Sequence, residues 1–348
     1  MTGWRDRALH GPALRRLLVG AIVGGITLWL TFRGVDLPDV AGGLARARAW
    51  PILAALLLVA ATVAVAAVRW RVLVLPGHTD AAPLSRFVAA VVTGQMLNVL
   101  LPIRLGEMGR AYWISRTERQ PLGRVVATIV VERLADVVML GLGISILLLQ
   151  LSLPPWARRS GQMALATSAV ALVFAVVLGT SGLSIVHALE WPLRILPARF
   201  RPFVVRQSEV ALAELAALGQ WRSGASIWAL SALLVVLAAA TNYVLFYAFD
   251  LTLTPAVALL LFIVLQIGGA PVATPGNLGV FHYLTVLVLT AFGVERTVAI
   301  AYAIVLHAVA IGPKIIAGAV ILGVSRTPLL EPALWRDSGR ETVPEIPL

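Results

Sequence analysis

The chain has 348 residues, 59% hydrophobic and 13% charged, with a mean hydropathy of +0.90; so little polar side chain cannot clothe a soluble domain of this length, which makes it an integral membrane protein. The formal net charge of +11 rests almost wholly on arginines gathered between apolar segments, a distribution that suits anionic headgroups and topology control rather than nucleic acid. Cysteine is absent, which excludes disulfides, thiol catalysis and thiolate metal sites.

Long apolar runs without strand-like alternation favour helices over an outer-membrane barrel. Residues 1–16 are basic, but the run after them continues into a full-length span without a small-residue cleavage site, so 14–32 reads as the first membrane helix and not as a cleaved signal. Residues 51–68 make a second span, with Pro51 in the first turn, where its missing N–H costs nothing, and Arg69 and Arg71 closing it. Arginines at 5, 7, 15, 16, 69 and 71 set both flanks on the cytoplasmic side and the 33–48 loop outside.

Residues 85–101 are apolar but carry Thr93, Gly94, Gln95 and Asn98 before Pro102, and the loop beyond holds arginines at 104, 110, 116, 119 and 124. A re-entrant segment that dips in and returns keeps that loop cytoplasmic, whereas a full crossing breaks the charge rule. Spans follow at 125–151 and 164–180, separated by Pro154 and Pro155. The largest polar connection is 182–223, whose stretch 204–218 is amphipathic and suits the interface; a cytoplasmic loop with one short helix is the plainer alternative. Another span, 227–249, precedes an apolar run at 255–267 and a second break, GGAPVATPGNLGV at 268–280, where proline removes donors and glycine frees the backbone. Apolar segments resume at 281–292 and 298–322.

The expected architecture is all-α and polytopic: six full spans, 14–32, 51–68, 125–151, 164–180, 227–249 and 298–322, plus two opposed re-entrant or broken segments. The opposed pair suggests an inverted repeat, although no sequence identity links the halves. The division is one membrane domain, 1–322, with halves near 14–151 and 164–322, loop 182–223 within the second, and a polar tail, 323–348.

Ionised groups inside this greasy chain mark the candidate site, because bare charge in hydrocarbon is expensive. Arg104, Glu107 and Arg110, three apart, share a broad face if the segment after Pro102 is helical, and guanidinium forks suit phosphate oxygens. The alternative is a cytoplasmic loop obeying the positive-inside rule. Glu132, Arg133 and Asp136 lie within an apolar helix; Thr128, Glu132 and Asp136 fall on one face and Arg133 can pair with Asp136, so the set reads either as a substrate site or as an ion-pair knot fixing helix packing. Asn98 joins the first break. Pro271, Pro275, Gly276, Asn277 and Gly279 form the opposed break, whose backbone N–H groups around 276–279 can meet an anion if it is more than an ordinary turn. His282 and His307 are ligand or proton-carrier candidates, with packed histidines as the alternative. Lys314, the one lysine, reads as a snorkelling side chain near the cytoplasmic end. Asn242, Tyr243 and Tyr247 share a face and, like Trp156 and Trp191, read as an aromatic belt.

These residues carry a resemblance. The run NxxLPIRLGExxRAY beginning at Asn98, the helix VVATIVVERLAD at 125–136 and TPGNLGV at 274–280 resemble the transmembrane region of lysylphosphatidylglycerol synthase, a flippase-like family of bacterial and archaeal membrane proteins, over roughly residues 14–322. By that resemblance Arg104, Glu107, Arg110, Glu132, Arg133 and Asp136 fall on the family's polar positions, and Pro275, Gly276, Leu278 and Gly279 on its second break. Relatives usually continue that break with Arg-Glu; here the residues are Phe281 and His282. The family's aminoacyl-transferring half is a separate domain, and none follows residue 322, so the chain is not expected to make lysylphosphatidylglycerol itself.

The leading expectation is a transporter or flippase for an anionic lipid, a phospholipid or polyprenyl phosphate, held by arginines in a membrane cavity. Its substrates and partners are then membrane lipids and lipid-synthesising enzymes, in a bacterial or archaeal cytoplasmic membrane with the N-terminus inside. No cofactor, metal or nucleic acid is expected. A membrane-embedded glycosyltransferase or lipid-modifying enzyme using Glu132 or Asp136 competes, and requires a carboxylate facing an open pocket. A structural or assembly factor is the third class, and requires the charges to be closed ion pairs.

Overall fold

The computed structural model describes residues 12–76, 82–101, 105–151, 155–181, 221–269 and 274–324. Pro102, Arg104, Pro271, Trp191, the amphipathic stretch 204–218 and the tail beyond 324 lie outside the described residues, as does the side chain of Trp156. Regular structure among them is helical: α1 Pro12–Phe32, α2 Leu37–Ala45, α3 Ala49–Val74, α4 Leu84–Leu100, α5 Leu105–Thr117, α6 Leu122–Gln150, α7 Pro155–Ser181, α8 Trp221–Phe246, α9 Pro255–Gly269, α10 Val280–Ala291 and α11 Arg296–Val324, with 3-10 turns at Tyr247–Phe249 and Pro275–Asn277.

The chain is a polytopic helical membrane protein. By length and composition α3, residues 224–249 and α11 can each cross a bilayer, and Leu18–Phe32 with Leu37–Ala45, bent by 82°, count as a fourth only if the pair is one broken span and not a re-entrant loop. The 29 residues of α6 and 27 of α7 reach about 40 Å at helical rise, the length of a span. The expected outer loop 33–48 is corrected by α2: Pro38 presets the first-turn backbone, and Val40 is buried in the apolar cluster that also holds residues of α11.

Two contacts orient the bundle. Arg48 pairs with Asp250 at 2.7 Å where α3 begins and α8 has ended, and Arg69 reaches Ser231 at 2.9 Å near the other end of both, so α3 and α8 run antiparallel. The short helices on either side of each break fold back on each other. Arg86 at the start of α4 meets Glu118 just past α5 at 3.1 Å, closing the mouth of a hairpin that opens at the Arg69 end. Near its tip the Gly106 N–H donates to Asn98 Oδ1 at 2.9 Å, and a Cβ on Gly106 would collide with the Gly94 carbonyl oxygen, so only glycine lets the backbones approach this closely. The second hairpin, α9 with α10, packs Leu284 against Gly268 and opens at the opposite, Asp250 end. Its break turns at Gly276, φ 66°, and Gly279, φ 87°, the latter against the α1 backbone at Gly24.

Two apolar clusters pack the bundle, the first of them joining α8–α11 to Val40, Val59 and Leu147 of α2, α3 and α6. One contains Phe246, Leu261, Leu289, Ile300 and Tyr302, from α8 to α11; the other contains Trp70, Phe87, Ile114 and Val125, from α3 to α6. Fully buried Tyr302 packs its ring on Phe246 at 5.4 Å and donates its hydroxyl to the Asn242 carbonyl at 2.9 Å. Tyr302→Phe keeps the ring contacts and is expected to cost about 1 kcal/mol, against about 3–5 kcal/mol for Tyr302→Ala by analogy with buried aromatic truncations, read from unfolding in detergent.

Candidate functional site

The charges that stand out in the sequence converge, though mostly on one another. Glu132 lies in the middle of α6 and is 1% exposed. Its Oε2 accepts from Arg110 Nη2 of α5 at 2.7 Å, and its Oε1 from Arg69 Nη2 of α3 at 3.4 Å. Arg69 also donates to Asp136 Oδ1 at 2.7 Å, one turn along α6. Towards the surface Arg133 meets Asp136 at 3.3 Å and Glu107 at 3.7 Å. Three guanidiniums thus face three carboxylates, which is how charge is tolerated inside a membrane helix bundle.

The knot is also braced by an aromatic wall. The Arg110 guanidinium lies 4.5 Å over the Trp70 ring, a cation-π contact, and Trp70 Nε1 donates to Thr128 Oγ1 at 3.1 Å. Phe87 stands edge-on to that ring at 5.6 Å. The helices are thereby fixed in register: α3 supplies Arg69 and Trp70, α4 supplies Phe87, α5 supplies Glu107 and Arg110, and α6 supplies Thr128, Glu132, Arg133 and Asp136.

Sequence reasoning misses Arg69 as a site residue. It reads there as a positive flank, yet it is 3% exposed and holds two acids. Nothing in the sequence separates it from Arg71, two residues on, which suits a flank equally well. Of the expected substrate residues, Arg110, Glu132, Arg133, Asp136 and Glu107 come together, and Asn98 closes the first break instead of facing them.

At the second break the backbone of Pro275, Gly276 and Asn277 turns through the 3-10 element. One of the N–H groups available for an anion is already used, since Asn277 donates to the Thr274 carbonyl at 2.9 Å. His307 Nε2 donates to the Gly276 carbonyl at 2.9 Å, and its ring lies tilted against buried His282 at 4.8 Å and edge-on to Phe281 at 5.2 Å. The two histidines therefore pack the break onto α11. Among the described residues no group of three or more His, Asp or Glu side chains could hold a metal ion.

Between these features lies a cavity of about 310 Å³. Its walls come from α3, α4, α8, α9, α10 and α11, and both hairpin tips reach it, through Gln95 of the first and Asn277 of the second. Most of the wall is apolar; the polar lining includes Gln266, Asn242 and Lys314, and no carboxylate is among the described lining residues. Lys314 sits four residues past the middle of 29-residue α11, about 6 Å along the axis, so it is not a snorkelling terminal lysine. Asn242 likewise departs from the belt expected of it: it is 4% exposed and donates to the Ala258 carbonyl at 3.2 Å, while Tyr243 and Tyr247 pair at the outer surface beside Trp50. An apolar helix surrounded by apolar neighbours offers no stripe from which the facing of Lys314 or Asn242 could be read.

No curated protein and no solved structure matches the chain. The model of one family does, over residues 17–318, under the description lysylphosphatidylglycerol synthase TM region. With that match spanning the helices, both hairpins and the charge knot, the chain belongs to the family of the lysylphosphatidylglycerol synthase transmembrane region.

Proposed function

We propose that the protein moves an anionic lipid, a phospholipid or a polyprenyl phosphate, across a bacterial or archaeal cytoplasmic membrane, with its N-terminus on the cytoplasmic side. The observation that supports this most is the meeting of two oppositely opening hairpin tips at one cavity, the layout by which discontinuous helices expose a midplane site alternately to either side. The volume fits a headgroup while leaving chains in lipid, since it is at the lower end of the ~300–1,000 Å³ typical of ligand pockets. The expected phosphate-binding arginines are a weaker support: Arg104 lies outside the described residues, Arg110 is held by Glu132, and Arg133, half exposed, keeps an accessible fork.

A second reading has an observation of its own. Closed ion pairs are what an assembly factor built around a rigid knot requires, and the same pairing weakens an enzyme in which Glu132 works as an acid or base.

Scrambling of headgroup-labelled phosphatidylglycerol and of a polyprenyl phosphate in proteoliposomes decides between them. The parent is expected to move at least one of the lipids, and Ala310→Trp, which fills the cavity from α11, to slow that movement tenfold or more while keeping its elution profile and helicity. Unaltered movement in a folded Ala310→Trp variant would sink the cavity route; no movement of either lipid by a folded parent would favour the assembly reading.

A further inference from the structure

The knot is balanced, but the cavity is not. Among the described residues Lys314 brings an ammonium into a wall that contains no carboxylate, and no ion pair or hydrogen bond holds that ammonium. A charge this far from both ends of its helix needs a partner, because desolvation is compensated only when an opposite charge and hydrogen bonds replace water. Around it stand neutral carboxamides, from Gln95, Gln266 and Asn277, and Gln95 Oε1 is itself buried without a hydrogen-bond partner. Amides of this kind donate to phosphate oxygens and accept from hydroxyls, so they tolerate the polar parts of a headgroup without cancelling its charge. The balancing charge has to arrive with the ligand.

We propose that Lys314 selects the headgroup by charge: the cavity takes a lipid whose headgroup is net negative, a phosphodiester or phosphomonoester, and rejects the same lipid once an aminoacyl ester has added ammonium charge to it. This rests on the translocation reading for its consequence in the membrane, but the binding preference stands on the cavity alone. A phosphodiester neutralises Lys314 one for one. A lysyl ester of the same headgroup carries two ammonium groups beside that phosphate, and in a cavity of this size at least one of them lies close to Lys314 with no acid to offset it. Such a preference sets this chain apart by substrate from the aminoacylated lipid in its family's name.

The test is calorimetric titration of the full chain in detergent with dihexanoyl phosphatidylglycerol, its lysyl ester, a short prenyl phosphate and inorganic phosphate, on the parent and on Lys314→Gln and Lys314→Arg. The parent is expected to bind phosphatidylglycerol or the prenyl phosphate at least tenfold more tightly than the lysyl ester. Lys314→Gln, which keeps a polar side chain and removes a bare charge, is expected to fold as well as the parent, to lose tenfold or more in affinity for the anionic lipid and to level the discrimination; Lys314→Arg is expected to retain it. Equal binding of the two esters by the parent, no binding of any anionic ligand, or unchanged preference in Lys314→Gln would overturn the proposal. Inorganic phosphate binding as tightly as the lipids would overturn the lipid headgroup as the ligand. If binding follows the expected pattern while proteoliposomes move no lipid, the translocation reading fails and the charge selection survives.

Discussion

Glu132→Gln is expected to destabilise the protein by about 3–5 kcal/mol, because it removes the one negative charge from between two buried guanidiniums and leaves both without full compensation. Glutamine has nearly the same shape, so packing survives and the loss is electrostatic. Arg110 keeps its place over Trp70, and Arg69 keeps Asp136, but each then carries buried charge with too few acceptors. The comparison is Arg133→Gln, at the half-exposed edge, which is expected to cost about 0–1 kcal/mol as surface pairs do. A triple replacement, Arg69→Met with Arg110→Met and Glu132→Leu, is expected to recover much of the lost stability, since a well-packed apolar core can substitute for a buried ion cluster. Equilibrium unfolding in mixed micelles reads all three. Equal losses for Glu132→Gln and Arg133→Gln would show that burial between Arg69 and Arg110 does not set the cost.

Gly106→Ala is expected to open the first hairpin. The added Cβ would strike the Gly94 carbonyl oxygen and come within 2.8 Å of Asn98 Oδ1, the oxygen that holds the Gly106 N–H. Neither neighbour is the loose end of a long side chain, so α4 and α5 must separate, and the cost is at or above the ~1–3 kcal/mol usual for overpacking. Gly25→Ala is the matched control, a helical glycine in α1 whose new methyl meets nothing within 4 Å; it is expected to be neutral or stabilising by a few tenths of a kcal/mol. Thermal unfolding of both, with lipid movement measured below the transition, separates a loss of fold from a loss of function. If Gly106→Ala unfolds at the parent's temperature, the close backbone crossing is not needed.

The two breaks are legible in the sequence because proline and glycine weaken apolar helices for local reasons: Pro102 lacks a backbone donor, and Pro275, Gly276 and Gly279 crowd the second break, whereas a single proline, Pro313, stays within continuous α11. Acids on an apolar helix are legible as well, since Glu132 and Asp136 need partners wherever the helix lies. What the sequence does not convey is who those partners are. Arg69 lies 63 residues before Glu132, at a position where a flanking arginine also satisfies topology, and one residue cannot announce which of two roles it plays. Lys314 and Asn242 depart from their expected places for a related reason: in a bilayer both the outside and the inside of the bundle are apolar, so periodicity does not tell the lipid face from the packed face. The α2 helix is hidden by its shortness, nine residues with Gly42 and Gly43 inside, and it exists because α11 receives its buried face.

The three-against-three balance around Glu132 has an electrical consequence. A membrane voltage does about 2.3 kcal/mol of work per 100 mV on each unit charge carried across the whole field. Among the described residues the knot has zero net charge and gives that field no net force of its own, so any voltage bias on α3, α5 and α6 comes from Arg71, Arg116 and Arg124 on the same helices and not from the cluster.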